Sequence, residues 1–236
     1  MSVALAWLVF VTVGVLVTRA MAPDLDSRTL AFVVLVALAA VVTAALTWLG
    51  WWHPLGFARR WRNRWVLLPP LAVVLAPWLG GIQLLDGATL ALLVAGYALS
   101  GFAEEAVFRG VLFRILRGRR VGRIVVVSSI LFGVVHLGNM LIRGNPAMVA
   151  AQALGAATSG VGYASLYVLS GSIWAPFLVH FLHDLALNTG RLPVIPVDVA
   201  QDVLLVAYGA VLAWRTRAGR TAANPAALDA PHTAAG

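Results

Sequence analysis

The chain has 236 residues, of which 61% are hydrophobic and only 11% charged, and apolar stretches of near-spanning length recur along it. This composition excludes an ordinary soluble domain and predicts an all-α, polytopic transmembrane helix bundle of about eight spans; the lack of cysteine excludes disulfides, thiolate metal sites and a cysteine nucleophile. The formal charge of +8 comes from 17 arginines and no lysine, and their clustering at helix ends points to membrane orientation rather than to nucleic acid.

The first apolar segment, residues 3–17, lacks a basic leader and reads as a retained helix, although Ala20-Met21-Ala22 keeps signal cleavage open. Residues 30–51 form the second span. A loop follows in which Arg59, Arg60, Arg62 and Arg64 lie among Trp51, Trp52, Trp61 and Trp65, a pairing that marks a membrane surface. Residues 66–85 are the third span, kinked by Pro69, Pro70 and Pro77. Asp86-Gly87 turns the chain into the fourth, 88–113. Arg114, Arg117, Arg119, Arg120 and Arg123 form the most basic loop. The fifth span, 124–142, closes at Arg143-Gly144-Asn145-Pro146. The sixth, 147–169, is rich in the small residues that let helix backbones approach. Ser170-Gly171-Ser172 links it to the seventh, 173–188; Pro193 and Pro196 break the next loop, and 199–214 is the eighth.

No internal repeat divides the chain, so residues 1–214 read as a single transmembrane domain. Residues 215–236 read as a disordered cytoplasmic tail. Every strongly basic loop falls on the side of the two termini, which places both termini in the cytoplasm; a bacterial-type plasma membrane is the expected location.

Glu104 and Glu105 are the only glutamates. They stand side by side at the end of an apolar run, and carboxylates at membrane depth face a bundle interior with a partner. Arg109 lies four residues beyond Glu105, in reach of an ion pair, whereas Glu104 points about 100° away and needs another partner. Counted from the cytoplasmic helix ends (Arg114, Arg123 and Ser172) at about 1.5 Å per residue, Glu104 lies about 15 Å deep, His136 about 20 Å, and His180 and Asp184 about 12 and 18 Å. Three helices thus bring two acids and two imidazoles to one layer. His180, Asp184 and Asn188 share a helix face, with His183 on its flank. Glu and His can together deprotonate a water, and a second His with a hydrogen-bonding neighbour can face an oxyanion. The same set could hold a divalent metal, but no His-Glu-x-x-His is present.

Three motifs carry a family resemblance. Glu104-Glu105-Ala-Val-Phe-Arg109 resembles the EExxxR motif of the CPBP family, the CAAX-processing and bacteriocin-processing, or abortive-infection, intramembrane proteases. Phe132-Gly-Val-Val-His136 is similar to its FxxxH motif, and His180-Phe-Leu-His-Asp184 to its third, a histidine followed four residues later by Asn or Asp. The resemblance covers about 90–188. It implies a glutamate-type endopeptidase, with no cofactor, acting on a membrane-associated peptide or protein. Glu104 and His136 would activate the water, His180 and Asp184 would form the oxyanion site, and Glu105 and Arg109 would be a supporting pair. Asp184 stands where prenyl-protein proteases carry Asn. An ionised Asp cannot donate to an oxyanion, so Asp184 is either protonated or only orients His180.

Four other readings compete. A zinc-dependent protease would use the same side chains as ligands. A rhomboid-like serine protease would use Ser159, but Ala157-Thr158-Ser159-Gly160 lacks the leading glycine of GxSG. A non-catalytic binding or immunity protein would keep the fold without turnover. A proton-coupled carrier would use Glu and His as relays, but the absence of an inverted repeat speaks against it.

Overall fold

A computed structural model describes residues 2–61 and 63–218. Its helices are α1 (Ser2–Met21), α2 (Ser27–Leu49), α3 (Leu68–Val74), α4 (Gly87–Ile115), α5 (Val121–Arg143), α6 (Pro146–Ser170), α7 (Trp174–Thr189) and α8 (Val194–Ala218). No strand forms among the described residues; a single bridge joins Ile82 to Gly190. Five helices, α1, α2, α4, α5 and most of α8, are long and apolar enough to cross a membrane. The all-helical membrane bundle expected from composition is therefore the fold. α6 packs on α5 and α8, and α7 packs on α4 and α6.

Capping starts two of the long helices. The Asp26 carboxylate accepts from the Arg28 and Thr29 N–H groups, and Asp86 accepts from the Thr89 N–H. The Thr29 and Thr89 hydroxyls add a second bond each. These donors, hydroxyl first, hold both carboxyls below the usual range. Their contribution is present at neutral pH and lost only as pH falls through the lowered values.

The third segment departs from expectation, for it is not one spanning helix. Pro69 and Pro70 sit in the first turn of α3, where no N–H is required. Pro77 cannot continue the ladder, so α3 stops at Val74 and a 3₁₀ turn, Ala76–Gly80, follows. The segment still passes from one end of the bundle to the other, antiparallel to α8. The Val66 carbonyl accepts from Tyr208 Oη at 2.6 Å, that of Val73 from Gln201 Nε2 at 2.8 Å, and that of Gly81 from the Arg191 N–H at 3.1 Å. Broken backbone at membrane depth is tolerated where neighbouring side chains satisfy it in this way.

The tryptophan-rich loop is also less superficial than its composition suggests. Leu55 is buried, and its carbonyl accepts from Tyr167 Oη at 3.2 Å. A Cβ at Gly56, whose φ is +88°, would lie 2.9 Å from the Gly171 carbonyl oxygen. The loop therefore plugs the bundle end beside the α6–α7 link. Arg62 lies outside the described residues. α8 begins at Val194, so Pro196 occupies its first turn rather than a loop, and it continues to Ala218 into the expected tail. Residues 219–236 lie outside the described residues.

Candidate active site

α4 delivers the two glutamates and then changes its winding. Ala106–Val111 is a π-helical segment, and the Leu112 N–H reaches back to the Val107 carbonyl. Such π-bulges recur at functional sites. The Phe108 carbonyl in this turn also accepts from Ser128 Oγ of α5 at 2.8 Å. Behind the site α5 and α6 touch backbone to backbone: a Cβ at Gly133, inside the FGVVH motif, would stand 2.5 Å from the Ala153 carbonyl oxygen.

Glu105 and Arg109 are fully buried and paired, Nη1 to Oε1 at 2.9 Å. Arg109 Nη2 donates to the Gly160 carbonyl at 3.2 Å, and its guanidinium lies 4.2 Å from the centroid of the Phe132 ring. The same Glu105 oxygen accepts from His180 Nδ1 at 2.9 Å. The pair is therefore part of the site rather than a brace apart from it.

Glu104 is held differently. Ser100 Oγ donates to its Oε1 at 2.7 Å. Its Oε2 is buried without a hydrogen-bond partner and stands 4.0 Å from His136 Nε2 and 3.7 Å from His180 Nε2. His136 Nδ1 donates to the Phe132 carbonyl at 2.7 Å. A neutral ring so held carries its lone pair on Nε2, facing Glu104. Two proton acceptors 4.0 Å apart can both accept from one water oxygen set between them. His180 Nε2 lies 3.6 Å from Asp184 Oδ2, and the Asp184 side chain is 33% exposed, far more than Glu104 or Glu105. The cluster is exposed on that side.

All six side chains singled out in the sequence, Glu104, Glu105, Arg109, His136, His180 and Asp184, thus meet in one cluster. Asn188 donates to the backbone carbonyl of Asp184 and remains exposed. Ser159 Oγ donates to the Gly155 carbonyl at 2.9 Å within its own helix. Among the described residues no three His, Asp or Glu side chains are grouped so as to hold a metal ion.

Two participants escaped the sequence. Ser100 precedes Glu104 by one helical turn, a spacing that could have indicated it. Tyr163 stacks on His180 with centroids 5.0 Å apart, and no motif marks it.

Comparison with known proteins adds one finding. No curated protein and no solved structure matches the chain. Residues 86–186, which hold all six clustered side chains, match the family model described as type II CAAX prenyl endopeptidase Rce1-like. The match falls on the motif-bearing part of this membrane protein and agrees with the family resemblance that the three motifs led us to expect.

Proposed function

We propose that the protein is a glutamate-type intramembrane endopeptidase that needs no metal and cleaves a membrane-associated peptide or protein, with prenylated CAAX-type C-termini the class of substrate that the family suggests. The observation that carries this reading is Glu104 Oε2, buried, unpartnered and within 4.0 Å of two imidazole Nε2 atoms. Glu104, assisted by His136, takes a proton from water, and the hydroxide adds to the scissile carbonyl carbon. The oxyanion forms toward His180 Nε2 and Asp184. With Nδ1 committed to Glu105, His180 donates from Nε2 only as the doubly protonated ring. The tetrahedral adduct then collapses with breakage of the C–N bond, and Glu104 passes the proton to the leaving amine.

The described arginines of the basic loops, with Arg59 and Arg64 on one loop and Arg114–Arg123 on the next, lie at the end of the bundle where α4 closes and α7 begins. That grouping supports a cytoplasmic location for both termini. The decisive experiment incubates purified protein with an internally quenched peptide ending in a farnesylated Cys-aliphatic-aliphatic-X. Cleavage that disappears in Glu104→Gln and survives 1,10-phenanthroline is expected. Loss on chelation with recovery on adding zinc transfers the reading to a metalloprotease using Glu104, His136 and His180. A biological effect retained by Glu104→Ala points to a non-catalytic role.

A further inference from the structure

His183, one turn beyond His180 on α7, is equally buried yet has no place in the water-activating set. Its Nδ1 meets the phenol oxygen of Tyr163, and its Nε2 faces Asp198 Oδ1 of α8 at 3.6 Å. That separation is beyond hydrogen-bond length and Nε2 has no hydrogen-bond partner, but a nearby carboxylate favours the proton on Nε2, which leaves Nδ1 to accept from the Tyr163 hydroxyl. The phenol is thereby anchored at its far end. Its face lies on the His180 imidazole, with the planes 16° from parallel. Phe132 meets the same imidazole edge-on at 5.6 Å. Glu105 fixes only one atom of that imidazole, Nδ1, and an aromatic ring held at one atom still turns about its broad terminal torsion.

We propose that Tyr163 is a positioning residue that sets the ring plane of His180, and that His183 acts only by holding the Tyr163 hydroxyl. The proposal rests on the oxyanion role given to His180 above. The stacked face also attracts the doubly protonated ring that this role requires, since a phenol face attracts a cation. Asp198 is the outermost member, its side chain 42% exposed, so the chain Asp198–His183–Tyr163 links the site to the bundle end where α8 begins.

The test is a mutant cycle on the full chain in detergent, read as kcat, KM and melting temperature on the farnesylated peptide. Tyr163→Leu removes the stack and lowers kcat by roughly 10²-fold with KM unchanged, the cost of misplacing a reacting group. Tyr163→Phe keeps the stack but loses the anchor, and restores kcat to within about five- to tenfold of wild type, the weight of one hydrogen bond. His183→Ala matches Tyr163→Phe, and the double variant is no slower than Tyr163→Phe alone. An independent reading needs no turnover. The His180 ring-proton resonances, assigned by their loss in His180→Ala, lie upfield over the phenol and move downfield in Tyr163→Leu.

Unchanged kcat in Tyr163→Leu, unmoved His180 resonances, or a fully additive His183→Ala effect in the double variant overturns the proposal. Glu104→Gln separates the two readings. If that variant is inactive while the Tyr163 variants match wild type, only the positioning role fails. If Glu104→Gln turns over normally, the water-activating role fails instead.

Discussion

The two faces of α4 put the same residue type to opposite uses. On one face Glu105 gives a single oxygen to both Arg109 and His180, each at 2.9 Å, with no exposure, while its second oxygen is buried without a hydrogen-bond partner. On the other face Glu104 has one oxygen tied to Ser100 and the other free between two imidazoles. A buried charge with its partners in place resists removal, because the group left behind is then unpaired. Both acids keep one buried oxygen without a hydrogen-bond partner, but that of Glu104 faces two imidazole Nε2 atoms and no arginine is paired with it, an arrangement retained for chemistry rather than stability. The difference teaches that adjacent acids in one motif should fail in different ways, one in turnover and the other in folding.

The largest effect is expected on the Glu104 face. Glu104→Gln preserves shape and the Ser100 contact but removes the proposed base. Turnover should fall by about 10²–10⁴, the range for a positioned general base, with the melting temperature unchanged. His136→Ala should fall in the same range. Near-normal turnover by either purified variant removes that residue from water activation and erases the contrast.

On the Glu105 face the loss should appear as stability. Glu105→Ala leaves Arg109 buried without its carboxylate, and Arg109→Ala leaves Glu105 with His180 alone. Each should cost about 3–5 kcal/mol, read as lower yield and melting temperature in detergent. Removing both should cost less than the sum of the two, since neither charge is then stranded. Wild-type melting in both single variants, with loss of activity only, would show that the faces do not differ in this way.

Much of this contrast was legible beforehand. The i,i+4 spacing of Glu105 and Arg109 indicated their pair, and counting helical rise from the cytoplasmic ends put four polar side chains at one depth. Composition gave the helical membrane class, and the proline positions indicated disruption of the third segment. Several features were not legible. The π-helical turn at Ala106–Val111 leaves no compositional trace, because its extra residue is accommodated by a hydroxyl from another helix, Ser128. Tyr163 lies in a run of small residues whose visible message is close packing, and its contacts with His180 and His183 come from tertiary structure. His183 read as peripheral because a helical wheel shows its angle from His180 but not the neighbouring α8. The broken third segment still crosses the bundle because Gln201 and Tyr208, distant in sequence, satisfy its carbonyls.

A smaller effect tests how Glu104 is aimed. Ser100→Ala removes the hydrogen bond to Oε1, a bond to a charged group and so worth about 1.5–3 kcal/mol. It should lower kcat by roughly tenfold or more with little change in melting. If melting falls while kcat is kept, Ser100 braces the helix rather than aiming the carboxylate.

The smallest effect is expected at Asp184, and it decides what that residue does. If Asp184 only orients His180, an amide in its place holds the ring less well, and rate falls by about 10²–10³ at every pH. If Asp184 donates to the oxyanion directly, it must carry its proton, and Asn, which always donates and never ionises, serves as well. The geometry argues for the donor. His180 is already held at Nδ1 by Glu105 and across its face by Tyr163. Asp184 Oδ2 stands 3.6 Å from Nε2, beyond hydrogen-bond length, on the exposed side of the cluster. A carboxyl so placed adds little to the orientation of a ring restrained twice over, but it borders the space where the oxyanion would form. Asp184→Asn should therefore keep activity within a few-fold of wild type. A rate lowered by about 10²–10³ would return Asp184 to the orienting role.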